Sequence, residues 1–497
     1  MNRFSAWIVR GLLGLVLLLT AAKPAFSQLD PLAGRTPTVI LADSRQAAGE
    51  GARATQAPAE KKVSPQEAEE LFRSIDEILK FSSKDTDLPI KERVKRRMID
   101  RDEVVAYLTK HMNEDEDSKR LQRSALVLKK FGLLPRDFDL PKFLVALLKE
   151  QVAGFYDPET KTVNLLDWVD AEQQKPVLAH ELTHALQDQS FGLEKWMKVG
   201  AADLVESKKE PTSDDIENDE ISAARQAVVE GQAMVTLIDY MLAPTGQTLS
   251  TAPQVADALK EGMLTGTSDS VEFRRAPIFL REALTFPYRY GLDFETALLA
   301  KGGKEKAFAG AFADPPHTTR QIMQPETYLT GEKIPPMPLP DFKKIFKNYD
   351  RFDIGAMGEF DVALLFDQYD GMEVSHRMYP HWRGGYYYAA RPKGEPDAPL
   401  ALLYVSRWSS ADIAAEFAAI YAQSLSQRYL RAREAVADGA KTPDLAALHT
   451  LSGEHTWFTE EGPVVIEVNG DTVMVSESLD PLASEEAEKE LFSAAVK

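Results

Sequence analysis

At 497 residues, with 44% apolar and 27% charged side chains, the chain is long enough for two or three domains and a sizeable core. Its 77 acids outnumber 58 Lys and Arg, and the net charge of −19 argues against a nucleic-acid binder, which works by neutralising phosphates. The absence of cysteine excludes disulfides, thiolate metal sites, a cysteine nucleophile and a lipid-bearing cysteine.

Residues 1–27 read as a secretory signal peptide. Arg3 and Arg10 flank the leucine-rich stretch Gly11 to Ala22, Pro24 breaks it, and Ala25-Phe26-Ser27 offers small residues where a signal peptidase reads. The stretch falls short of the roughly 20 apolar residues of a spanning helix, so an uncleaved anchor is the lesser alternative. Cleavage removes three cations and no acid, leaving −22. The expected location is periplasmic or extracellular, with no stable membrane span after signal removal.

Residues 28–64, rich in Ala, Gly, Pro, Thr and charge, are expected to form a flexible tether. From Ser64 the pattern turns helical. Leu71, Ile75, Ile78 and Leu79 follow a Ser64-Pro65 start with Glu67 three residues on. Further helices are expected over 91–112, 116–131 and 140–151, the first with a solvated basic face opposite Val94 and Met98. Val152–Tyr156 and Thr162–Leu166 flank Asp157-Pro158 and predict a hairpin. A helix is expected to start near Pro176, followed by an acidic stretch at 203–220 and a long helix from about Asp219 to Met241. The Pro-rich run from Ile334 to Pro340 reads as a boundary. Beyond it, strands at 361–366, 384–389, 399–406, 463–467 and 471–476 are expected around a helix at 410–435. The expected fold class is α+β: a mainly helical domain over 65–340 with a small β-sheet and a helical N-terminal part (65–150), then a smaller α+β domain over 341–497.

The residues that carry chemistry are His180-Glu181-Leu182-Thr183-His184. Residues four apart share one face of a helix, so both imidazoles can reach one metal ion. Glu181 then stands beside that ion, as suits a general base acting on water. Leu178, Leu182, Ala185 and Leu186 supply an apolar back; the bland alternative is two histidines on a surface helix. Catalytic zinc takes three protein ligands and keeps one position open. Glu230, in Ala227–Ala233, is the expected third ligand, because a carboxylate inside an apolar helix is costly unless compensated. Its neighbour Gly231 costs the helix about 1 kcal/mol relative to Ala, which close approach to His180 and His184 would explain. The alternative is a glutamate on a wet face.

His180–Asp188 resembles the active-site helix of thermolysin-like gluzincins, zinc peptidases with two His and one Glu ligand. The chain is closer still to a group of exported bacterial gluzincin-like proteins. That likeness rests on 132–140, Q-V-A-G-F-Y-D-P-E-T-K at 151–161, V-V-E-G-Q-A at 228–233, F-P-Y-R-Y-G-L-D-F at 286–294 and 315–329. The resemblance implies a gluzincin-like metallopeptidase domain over 65–340, bound Zn2+, and a peptide or protein substrate pairing in extended form with the edge of Thr162–Leu166. It also implies a structural or supporting role for Asp188. Two departures stand out. The acidic residue expected four after the ligand glutamate is Met234, and an acid and a histidine of the group's last segment are replaced by Arg320 and Gln324.

A peptidase also needs a donor to the oxyanion of its tetrahedral intermediate, for which Tyr288, Tyr290 and His317 are the candidates. Pro287 and Gly291 suggest a bend that aims one of the tyrosines inward. His111, His376, His381, His449 and His455 receive no role. The expected function is a secreted or periplasmic zinc metallopeptidase. The alternative is a non-catalytic envelope binding protein on a zinc-stabilised gluzincin scaffold, suggested by the altered 318–325 segment.

Overall fold

A computed structural model describes residues 62–112, 115–151, 154–198, 209–264, 270–435 and 444–492. The expected signal peptide and nearly all of the expected tether lie outside these residues. Within them the fold is α+β, with a three-stranded sheet among helices and a seven-stranded antiparallel sheet in the C-terminal region.

The first helix, Pro65–Thr86, starts as the sequence predicts. Ser64 accepts a hydrogen bond from Glu67 N while the Glu67 carboxylate accepts from Ser64 N. The expected helix over 91–112 is corrected. Lys95–Ile99 is a strand, β1, and the helix begins only at Arg101. β1 runs parallel to β3 (Thr162–Leu166), which pairs antiparallel with β2 (Phe155–Asp157). β3 is therefore the middle strand with both edges taken. The hairpin is real, its turn closed by Asp157 Oδ1 accepting from Glu159 N and Oδ2 from Thr160 Oγ1.

The zinc-motif helix spans Ala171–Phe191, with Asp170 as N-cap and Pro176 inside it. Buried Gln174 staples the helix to the sheet, its amide pairing with both Leu166 N and Leu166 O at 3.0 Å. The Glu230 helix runs Ser213–Leu242, starting six residues before the expected Asp219. Thr212 and Asp215 form a capping box, so part of the acidic stretch is helix, its first-turn acids set against the N-terminal dipole. The Tyr288 helix, Ile278–Glu305, runs straight through Pro287, and its only non-helical residue is Gly303. The expected bend at 287–291 is absent.

In the C-terminal part the strand order is β4-β5-β6-β10-β9-β8-β7, formed by Tyr349–Ala356, Trp382–Pro392, Ala401–Trp408, Thr472–Glu477, Gly462–Asn469, Gly453–Thr459 and Ala432–Glu434. The expected strand at 361–366 is instead part of a helix, Glu359–Tyr369. The helix expected over 410–435 spans Ala411–Arg428 and gives way to β7. Alternation along the central strands builds two layers. Leu402, Tyr404, Val473 and Val475 pack with Phe417 and Tyr421 on one face, and Leu403, Val405 and Met474 with Phe342, Ile345 and Ala483 on the other.

The first of these layers is continuous with the helical part, from Ile99 to Val475. Phe131 meets Tyr404 edge-on at 5.6 Å, and Tyr369 Oη donates to Phe131 O at 2.6 Å. Beside them Lys130, Arg428 and Glu477 form a buried ionic group: Arg428 Nη2 lies 2.8 Å from Glu477 Oε1 and Lys130 Nζ 2.8 Å from Glu461 Oε2. Burial opposes ionisation of Glu477, but Arg428 and Lys130 outweigh it and hold the carboxyl down at about 2.

Other acids go the opposite way. Burial, then the Asp361 charge, pushes Glu220 up to about 8. Burial, then the Asp85 charge, pushes Asp239 up to about 7. Both are neutral in the fold at a pH where the unfolded chain, with carboxyl values near about 4, is ionised. Their stabilisation is complete below that value and is lost as pH rises through 7 and 8, whereas the contribution of Glu477 is lost only in stronger acid. The melting temperature is expected to fall between about pH 5 and pH 8.5, and Glu220→Gln to flatten the decline. A scanning-calorimetry series that is flat or rises over that interval contradicts this balance.

Candidate metal centre

His180 and His184 project from one face of the zinc-motif helix, and Glu230 faces them from the neighbouring helix. His180 Nε2 lies 3.0 Å from His184 Nε2 and 3.2 Å from Glu230 Oε2, which is 3.4 Å from His184 Nε2. All three side chains are buried. They form the only group of three or more metal-ligating side chains found among the described residues. The separations fit a metal: ligands about 2.1 Å from a tetrahedral zinc ion stand about 3.4 Å apart. Two imidazole nitrogens and one carboxylate oxygen are also a donor set of catalytic zinc.

Without a cation, burial and mutual charge divide the protons unevenly. Burial drives His180 down to about 4. It opposes charge on His184 as well, but the Glu230 carboxylate overrides it and raises that imidazole to about 9. Burial raises Glu230, and the His184 charge with hydrogen bonds from both imidazoles brings it down to about 2.

The tautomer of His184 follows from a ladder of amides that the sequence did not reveal. Gln232 Nε2 donates to the carbonyls of Ala307 (2.8 Å) and Phe308 (3.1 Å), so Gln232 Oε1 must be the acceptor for Gln187 Nε2 at 3.0 Å. Gln187 Nε2 also donates to Val229 O, leaving Gln187 Oε1 to accept from His184 Nδ1 at 2.9 Å. In the neutral ring the lone pair is then on Nε2, facing His180 and Glu230. Gln187 is thus the group that fixes the Nδ1 proton of His184, while Met234 is buried core. The signal was the spacing, since Gln187 is three residues after His184 on the same face.

Glu181 is buried and turned toward β2, where Tyr156 N donates to its Oε2 at 2.7 Å. Burial pushes this carboxyl up to about 7, against the His184 charge and the Tyr156 N–H. Asp188 anchors the same strand: it accepts from Tyr156 Oη (2.9 Å), Leu193 N (3.0 Å) and Lys161 Nζ.

The three oxyanion candidates separate. Tyr288 is fully buried, its ring 6.2 Å from that of His180 and inclined by 24°. Tyr290, 200° further round a straight helix, packs on Phe286 and Phe360. His317 is exposed and lines a cavity elsewhere. Neither forms a hydrogen bond or ring contact with the metal group. Gly231 also has a different neighbour from the expected one. It meets Gly291 of the Tyr288 helix, and a Cβ at either position would run into the other helix's backbone. The altered segment joins the two parts of the chain, Arg320 and Gln324 both binding Glu359, at 2.8 and 2.6 Å.

Residues 348–487 match a family model described only as a domain of unknown function, DUF8575. The match covers the seven-stranded sheet and none of the metal group. No curated protein and no solved structure matches the chain.

Two sets of variants probe this centre. In competition with a chromophoric chelator, Glu230→Ala is expected to lose zinc affinity sharply and Gln187→Leu about 10- to 100-fold. Glu217→Ala, in the other cavity, should bind as the parent does; equal binding by all three variants would contradict the assignment. Gly231→Ala is expected to cost about 1–3 kcal/mol in denaturant unfolding through overpacking, and an unchanged midpoint would remove the helix contact from the account.

Proposed function

We propose that the chain is an exported zinc-dependent metallopeptidase. The observation that carries this reading is the convergence of His180, His184 and Glu230, with Glu181 immediately beside them and bonded to a strand edge. A zinc ion held by these three residues would supply Lewis-acid polarisation of a carbonyl and activation of water.

The chain's own groups supply the rest. Glu181 takes the proton of the attacking water and later passes it to the leaving amine. β3 has both edges occupied; of the two edge strands, β2 is the one bonded to Glu181, through Tyr156 N–H, and is the one an extended peptide would lie beside. Tyr288, against His180, is the candidate placed to serve the oxyanion.

Metal analysis of the full chain and digestion of a peptide library, with and without chelator, test the reading. Zinc near one per chain and chelator-sensitive cleavage are expected. Glu181→Gln should keep its zinc and lose turnover about 100- to 10,000-fold. Undiminished hydrolysis by this variant at full occupancy would sink the mechanism.

One observation favours the second reading, a non-catalytic binding protein on a zinc-stabilised scaffold. The Glu181 carboxylate is enclosed and engaged by a backbone N–H, a structural task that needs no water. A zinc-dependent rise in melting temperature without cleavage of any library member would support it.

A further inference from the structure

A cavity of about 450 Å³ lies where the first turns of the Glu230 helix, the 314–339 segment and the start of β5 meet. Its size is that of a small-ligand site. None of His180, Glu181, His184 or Glu230 lines it. Apolar walls come from Ile216, Met337, Trp382 and Tyr386. Tyr386 is buried to 1% exposure, its hydroxyl enclosed behind the wall.

The charges around the cavity are unevenly matched. Arg320 is saturated by Glu332, Glu359 and the Pro380 carbonyl. Arg383, on the wall, donates only to the carbonyls of Pro380 (2.9 Å) and Trp382 (2.6 Å). Behind it Arg407 donates only to the carbonyls of Pro335 and Arg383. Lys333 is exposed on the rim. Among the described residues none of these three cations forms an ion pair, in a chain whose net charge is −19. Across the cavity Glu217 and Asp314 are exposed, also without ion pairs among the described residues. The site has a positive pole, a negative pole and an apolar floor.

We propose that this cavity binds a peptide segment carrying a carboxylate at one end and a cationic group at the other. Arg383 and Lys333 bind the carboxylate, the guanidinium being able to donate to two oxygens side by side. Glu217 with Asp314 faces the cation. Inorganic phosphate offers Arg383 the same oxygens but nothing to the negative pole, which is why a peptide is favoured. This binding does not rest on the peptidase reading, so its test reads affinity and not turnover.

The test is calorimetric titration of the full chain carrying Glu181→Gln, so that no probe is consumed. The probes are acetyl-Lys-Ala-Ala-Glu-amide, its Gln-ended counterpart and inorganic phosphate. The Glu-ended peptide is expected to bind about tenfold tighter than the Gln-ended one, as a charged hydrogen bond implies, and to weaken as salt is added. Arg383→Gln should erase the difference, and Glu217→Ala should weaken both peptides alike. Should Arg383→Gln fail to fold, Lys333→Ala, altered only at the exposed rim, should narrow the difference. Equal affinity for the two peptides, an undiminished preference in the folded cation variant, or phosphate displacing the Glu-ended peptide at equal concentration would each overturn the proposal.

Discussion

Backbone meets backbone where Gly231 crosses Gly291, and the metal centre depends on that contact. A carboxylate can approach two imidazoles of another helix only if its own helix lies at the right depth in the core. With no side chain between them, the Glu230 and Tyr288 helices meet backbone to backbone, where a Cβ on Gly231 would lie 2.3 Å from Gly291 O. The same contact brings Tyr288 against His180, while Glu230, about 100° round its helix from Gly231, faces the helix of His180 and His184. The glycine's helix-propensity cost, about 1 kcal/mol, purchases this geometry.

The metal group was legible because its signals are local. A four-residue spacing is a property of any helix, and a lone glutamate among Ala, Val and Met is conspicuous wherever the chain folds. What escaped the sequence depends on distant partners. β1, Lys-Arg-Arg-Met-Ile, carries charges that suit a helix as well as a strand, and it becomes a strand because β3, 67 residues later in register, accepts it. The expected strand at 361–366 lies in a helix in which Phe360, Val362, Ala363, Leu364, Leu365 and Phe366 are all buried, and a continuous buried apolar run carries no period that separates helix from strand. The Gln187–Gln232 ladder escaped because neutral amides carry no charge signature, and their donor polarity is fixed by carbonyls that a sequence does not display.

The two parts of the chain are joined by polar contacts as much as by apolar ones. Arg428 and Glu477 are enclosed, with Tyr421 Oη donating to the same carboxylate and Lys130 approaching from the helical side. Apolar residues of similar volume could give as much stability in such a place, so the use of ions lies in specifying one docking geometry. Arg320 acts similarly at the other end of the junction, between Glu359 of the sheet-bearing part and Glu332. Residues 318–325 therefore bear on how the parts are held.

The amide ladder ends on the main chain, at the carbonyls of Ala307 and Phe308. Side chains can be exchanged by mutation, but a carbonyl oxygen is present whatever residue occupies its position. The proton on His184 is in this sense written by the path of the backbone beyond Gly303 and not by the identity of any residue there. Sequence drift across 304–310 can proceed without altering which nitrogen faces His180 and Glu230, so long as the turn keeps its shape. An insertion or deletion of one residue in that turn, by contrast, would move the terminal acceptors and leave the ladder with no fixed polarity.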